Sequence, residues 1–197
     1  MMKIIKLVLL TFFVVCLSPL IILTRLGYLL KFEEFLDIFG KILSVFPGRL
    51  GSRLRIAYYK FVITAMDTNV HIDFGSFLSR RDTVIESGVV IGAYSIIGQA
   101  HIRKNTLISS RVSILSGKYQ HGKAFGAAGK SLKENKMEFE KVQVGSGCWI
   151  GENVIIMDDI GDDCIISAGS VVTKKIPDHS LAIGNPARIM NRENWND

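Results

Sequence analysis

Three textures follow one another along the chain. Residues 7–24 form an uncharged apolar run, with Lys3 and Lys6 before it and Arg25 after it. A helical span needs about 20 apolar residues, so this run is of marginal length, and Pro19 inside it predicts a kink. Next come apolar positions at helical spacing, first Phe32, Phe35, Leu36 and Phe39, then Leu54, Tyr58, Phe61 and Val62. Gly40 and Pro47-Gly48 punctuate this region, and Arg53, Arg55 and Lys60 interleave with its second half. Basic residues beside an apolar face suit an interfacial helix on anionic lipid, and they equally suit a helix packed on the end of the main domain.

From about residue 70 the helical period gives way to a step of six. Ile85, Ile91 and Ile97 are spaced by six, one residue is lost, and Ile102, Ile108 and Ile114 resume the step. Val144, Ile150 and Ile156 carry it again; a shortened step leads to Ile160, and Ile166 and Val172 complete the series. A regular aliphatic hexad is the signature of a parallel β-helix, in which each hexad gives a short strand and a turn and three hexads close a triangular coil. The aliphatic points inward, and a glycine or small residue follows it where the backbone is expected to turn tightly. Sandwich strands alternate at period two with turns every 8–12 residues, which does not produce this pattern.

Composition narrows the classes. Across 197 residues, 24 Lys+Arg against 18 Asp+Glu give a net charge of +6, and 48% hydrophobic residues exclude a disordered chain. The mean hydropathy of +0.29 is high, with the excess at the N-terminus. Cys16, Cys148 and Cys164 lack CxxC spacing, which excludes a disulfide framework and a Cys-rich zinc site and points to reduced thiols. No basic-aromatic groove pattern accompanies the charge, so nucleic acid is not an expected partner. The apolar run lacks a small-x-small cleavage site and small residues before Cys16. Positive charge on both flanks predicts a monotopic or re-entrant membrane anchor, an interfacial helix or a hairpin, with both ends cytoplasmic. A single span with the body outside and a buried core helix are the alternatives.

Residues 144–157, 160–177 and the stretch Ile183-Gly-Asn-Pro-Ala-Arg188 resemble the C-terminal coils and closing loop of the left-handed β-helix acyltransferases built from hexapeptide repeats. Among these the chain is most similar to the maltose/galactoside and polysaccharide O-acetyltransferases, over about residues 68–190. The resemblance implies a left-handed coil, acetyl-CoA as donor, no metal, and a homotrimer with active sites in clefts between neighbouring prisms. One departure is visible: the step from Ile156 to Ile160 is two residues shorter than the family's.

Residues 117–141 break the repeat and must leave the prism as a projecting loop, a place where a scaffold can put chemistry. Acyl transfer to a hydroxyl needs a base, and neutral imidazole suits the task near pH 7. In the family a histidine leading into such a loop is that base, which points to His121; some relatives have a histidine directly after the glycine, where this chain has Lys118. By the same resemblance Ala168 and Thr173 contact the pantetheine arm, Gly169 completes its small-walled groove, and Lys174 and Arg188 meet the phosphates. Asn185-Pro186 shapes the loop, and Trp149 is expected as a packed or turn-exposed aromatic. His71 and His101, placed near repeat turns, and His179 read as structural or solvated.

The expected architecture is an all-β left-handed parallel β-helix preceded by a helical membrane-associated segment. Residues 1–66 form the anchor and amphipathic helices, 67–190 the acyltransferase domain, and 191–197 a tail. The expected activity is O-acetyl transfer to a sugar hydroxyl of a polysaccharide or lipid-linked glycan, at the cytoplasmic face of the inner membrane. Alternatives are N-acetylation of a nucleotide-linked amino sugar, a non-catalytic scaffold, and a zinc-dependent carbonic anhydrase-like protein, whose histidine spacing is missing. Removal of residues 1–30 is expected to leave a folded, more soluble protein.

Overall fold

The computed structural model describes residues 2–117 and 139–190, with side chains from residue 8 onward. Strands of two or three residues stack into three sheets whose pairs are parallel except for the last. They wind a solenoid of about five turns, consistent with the left-handed β-helix. On face A the inward residues are Met66, Ile85, Ile102, Val144, Ile160 and Ile176, in register from coil to coil. Face B stacks Ile72, Ile91, Ile108, Ile150, Ile166 and Ala182. Face C stacks Leu78, Ile97, Ile114, Ile156 and Val172. The first strand is Ala65–Met66, so the solenoid begins just before the boundary read at residue 67.

Every step from face A to B, and from B to C, is six residues; every irregularity lies at the C-to-A corner. There the steps run Leu78 to Ile85, Ile97 to Ile102, Ile114 to Val144, Ile156 to Ile160 and Val172 to Ile176. The lost residue, the shortened step and the projecting loop are therefore variants of one corner.

The turn chemistry differs from the expectation. Residues in the left-handed region stand three places after the aliphatic, for example Gly88, Asn105, Asn153 and His179. The glycine directly after an aliphatic has another cause. A Cβ on Gly145 would strike the carbonyl of Gly161, and one on Gly92 would come within 2.6 Å of the Ser109 carbonyl carbon. Close approach between coils, not turn conformation, requires glycine there. A second buried column fills the corners: Ser76 Oγ donates to the Gly92 carbonyl at 2.7 Å, and Thr106 Oγ1 to that of Gly145 at 2.6 Å. Cys148 and Cys164 continue the corner as free thiols, each 3.0 Å from a carbonyl of the next turn, Gly161 and Pro177. The neighbouring Cys164 thiol and burial push the Cys148 thiol well above its ordinary range, so it stays protonated.

Three helices cover the first coil: α1 (Met2–Leu29), α2 (Glu34–Ser44) and α3 (Gly48–Val62). Helix α3 is packed on the end of the domain, the second of its two sequence readings. Tyr59 Oη accepts from Leu78 N–H at 3.0 Å, and Ser52 Oγ accepts from Ile72 N–H at 3.2 Å. Arg55, read from sequence among basic residues suited to lipid, is fully buried. Its guanidinium donates to the carbonyls of Ile72, Leu43, Ser44 and Phe46, which ties the end of α2 to the first coil. Phe61, by contrast, is partly exposed.

Helix α1 stays unbroken through Pro19. Proline removes the N–H that would bond the Val15 carbonyl, and Ser18 Oγ donates to that carbonyl at 2.8 Å. No hairpin forms within residues 7–24. One face of α1 lies on α3: Phe13 and Leu17 are buried, Arg25 Nε donates to the Phe61 carbonyl at 2.6 Å, and Tyr28 Oη donates to the Val62 carbonyl at 2.7 Å. Deleting residues 1–30 would thus strip α3 of its cover rather than merely remove an appendage. The opposite face exposes Phe12, Val15, Ile22 and Leu26, and α2 exposes Ile38 and Ile42. By length and composition Val8–Leu29 could cross a membrane.

At the far end Leu181–Ile183 pairs antiparallel with Arg188–Met190. The intervening loop folds onto the last strand of face C: Ala187 N–H donates to the Val171 carbonyl at 2.8 Å, and Val171 N–H to that of Gly184 at 3.0 Å.

Candidate functional site

The C-to-A corner forms one edge of the prism, and it gathers most of the unusual chemistry. At the interruption of the repeat, described residues end at Gly117 and resume at Phe139, and Glu140 N–H donates to the Ser116 carbonyl at 3.1 Å. Ser116 Oγ accepts from Gln99 N–H at 3.0 Å, and Val142 N–H donates to the Gln99 carbonyl at 3.0 Å. The guanidinium of Arg80 lies 3.9 Å over the Phe139 ring. The two ends of the interruption are thus joined by backbone bonds, with a cation–π contact at Phe139 beside them. One coil further on, Asp159 Oδ1 accepts from Gln143 N–H at 2.8 Å. One coil beyond that stand Thr173, Lys174 and Lys175, with both lysines exposed. His121 and Lys118 lie outside the described residues.

The other donor-side residues occupy a neighbouring corner of the last coil. Ala168 and Gly169 form the B-to-C turn and are exposed. Gly169 has φ +72°, and a Cβ there would meet no atom within 4 Å, so the backbone faces open space. Gly169 N–H donates to the Glu152 carbonyl at 2.7 Å. Arg188 is exposed on the return strand, opposite Ile183. The closing loop bonds Ser170 and Val171, so Arg188 belongs with Ala168-Gly169. The strand Val171–Val172 separates this group from Thr173-Lys174.

The remaining histidines have structural partners. His71 and His101 stand within strands, not at turns. His101 Nε2 is 2.8 Å from Glu86 Oε1, and His71 Nδ1 is 3.2 Å from Ser52 Oγ. His179 occupies a left-handed corner, 3.6 Å from Asp163. Trp149 is neither packed nor at a turn; it projects mid-strand from face B in line with exposed Val90 and Leu107. These three side chains form an apolar ladder that the inward hexad positions alone do not announce. Its signal is the residue just before each inward aliphatic, which on face B is apolar in every coil after the first, where it is His71. Among the described residues no group of three or more His, Cys, Asp or Glu side chains is placed to hold a metal.

Residues 141–174 match the family model of the bacterial transferase hexapeptide (six repeats). A Staphylococcus aureus (strain COL) protein named as an inferred acetyltransferase is 46% identical over 59 residues, 27% of this chain. The match spans only 30% of that relative's length. Among solved structures, a maltose O-acetyltransferase from Clostridium difficile 630 has a TM-score of 0.57 at 20% identity, covering 85% of this chain and 89% of that one. AntD, an N-acyltransferase from Bacillus cereus solved with dTDP and coenzyme A, has a TM-score of 0.55 at 22% identity, covering 66% and 73%. At these identities the two structures establish a shared fold.

Proposed function

Taking the chain as a hexapeptide-repeat β-helix protein, we propose that it transfers acetyl from acetyl-CoA to a sugar hydroxyl of a polysaccharide or lipid-linked glycan. The observation that carries this reading is the variable edge. The loop bearing His121 leaves the solenoid at the corner that also carries Thr173 and Lys174. Open backbone at Gly169 and the small Ala168 leave room for a pantetheine arm. Exposed Lys174 and Arg188 supply cations suited to the pyrophosphate and 3′-phosphate.

In this reading His121 takes the hydroxyl proton as the oxygen attacks the thioester carbonyl carbon. The C–S bond breaks as the tetrahedral adduct collapses, and the imidazolium returns the proton to the departing thiolate. No protein side chain is acylated. Positioned proton transfer of this kind contributes roughly 10²–10⁴-fold.

The exposed ladder of Val90, Leu107 and Trp149 supports a homotrimer, since contiguous apolar surface on a rigid face marks an association site. The exposed faces of α1 and α2, flanked by Arg25 and Lys41, support attachment along a membrane surface on the cytoplasmic side, where acetyl-CoA is supplied. The docking of α1 on α3 favours lying on the bilayer over crossing it.

The test incubates purified full-length protein and acetyl-CoA with cell-envelope fractions and follows acetylated products by mass. Mild alkali releases acetate from an ester and leaves an amide intact. An alkali-stable product would favour the second reading, transfer to the amine of a nucleotide-linked amino sugar, which the fold shared with AntD motivates. His121→Ala should lose transfer by roughly 10²–10⁴-fold and keep coenzyme A binding; undiminished turnover would place the base elsewhere.

A further inference from the structure

A groove of about 1050 Å³ runs between α1, α3 and the first coil. That volume matches the upper end of small-molecule sites, about 300–1,000 Å³. Its walls are Leu10 of α1, Ile56 of α3 and Val70 at the first corner. Arg49 and Arg53, one turn apart on α3, line it together with Lys60. The lining contains no carboxylate among the described residues, and neither arginine has a carboxylate partner there.

A histidine also lines the site. Ser52 Oγ accepts from Ile72 N–H and lies 3.2 Å from His71 Nδ1. In the tautomer in which Ser52 donates to Nδ1, His71 offers Nε2–H as a further neutral donor. Arginine forks bind phosphate oxygens in a bidentate manner, and an apolar wall beside them selects a ligand with a hydrocarbon portion. The groove also lies beside α1, whose outer face exposes Val8, Phe12 and Val15.

We propose that this groove binds a lipid phosphate, with the hydrocarbon chain on Leu10, Ile56 and Val70 and the phosphate on Arg49 and Arg53. The inference stands on the groove alone and is independent of acetyl transfer, because its readout is binding. The test uses the full chain in a neutral maltoside detergent, titrated calorimetrically with dodecyl phosphate. Glycerol 3-phosphate, which lacks the chain, and dodecyltrimethylammonium, which reverses the charge, are the controls. Dodecyl phosphate should bind and raise the melting temperature, and the two controls should do neither.

Arg49→Gln with Arg53→Gln should weaken dodecyl phosphate on the order of 10–100-fold, as expected for two charge-assisted bonds. Arg49 is exposed and Arg53 half-buried, so the double variant should fold. Ile56→Trp, which fills the groove, should block dodecyl phosphate while leaving attachment to phosphatidylglycerol vesicles intact; this separates a groove ligand from general surface adhesion. Binding unchanged in both variants, or equal binding of dodecyl phosphate and dodecyltrimethylammonium, would overturn the proposal.

Discussion

Arg55 is fully buried, yet its donors go to backbone carbonyls of Ile72, Leu43, Ser44 and Phe46 and to no carboxylate among the described residues. Burial lowers its pKa, but the guanidinium keeps its charge because its ordinary value is so high. Arg55→Met would leave the Ile72 and Phe46 carbonyls without a donor, while Leu43 and Ser44 keep backbone donors, a loss of about 3 kcal/mol. Urea melts should show it as a lower midpoint at unchanged slope, and Arg55→Lys should not restore it, since one ammonium cannot reach both chain segments. Tyr58 offers a test by pH. The Thr24 and Tyr58 hydroxyls share a buried 2.8 Å hydrogen bond in which either can donate. Burial, partly opposed by Thr24, pushes Tyr58 up to about 12. The neutral phenol is therefore favoured in the folded state. Its stabilisation is complete below pH 10, the ordinary value, and is lost as pH rises from 10 to about 12. In Tyr58→Phe the fall of stability across that window should be shallower by about 1.4 kcal/mol per pH unit.

The solenoid keeps its six-residue steps at two corners and lets the third vary, so loop content and coil stacking are independent. Gly117 and Glu140 stand side by side at the loop's base, where a Cβ on Gly117 would be 2.7 Å from that of Glu140. Replacing residues 118–138 with two glycines should leave the melting temperature within a few degrees of wild type. Acetyl transfer should disappear in the same protein if His121 is its base. The hexads were legible because burying one aliphatic per strand writes a period directly into the chain. The constancy of two corners was not, because Ile102 and Ile160 look like slips until each is assigned to face A. Nor could Arg55 be distinguished from Arg53 by local pattern: what separates them is contact with Ile72, a residue outside the helix. The glycine after each aliphatic was recognised, but its reason lies in the next coil, sixteen residues away for Gly145 and Gly161. The donor-side residues could be named from motif resemblance, whereas their division between two corners of the last coil required the winding.

For the whole molecule, two apolar surfaces on different faces call for different partners. The ladder of Val90, Leu107 and Trp149 lies on a flat sheet and the α1–α2 surface on the helical layer. If the proposed homotrimer assembles through this ladder, Leu107→Glu with Trp149→Glu should lower the mass measured by light scattering from trimer to monomer without changing the melting transition's cooperativity. Retention of the trimer would assign association to another face. Phe12→Lys with Ile22→Lys should instead release protein from vesicles and leave the assembly mass unchanged. The antiparallel closing strand has a further consequence. A parallel stack of coils is by nature extensible, because its last backbone edge is a template for another copy's first. At one end α3 occupies the N–H groups of Ile72 and Leu78 through Ser52 and Tyr59. At the other, a strand of opposite sense covers Leu181–Ile183, and the closing loop takes both backbone groups of Val171. These two stops make the molecule a particle of fixed length where the same hexads, left open, would polymerise into a fibre.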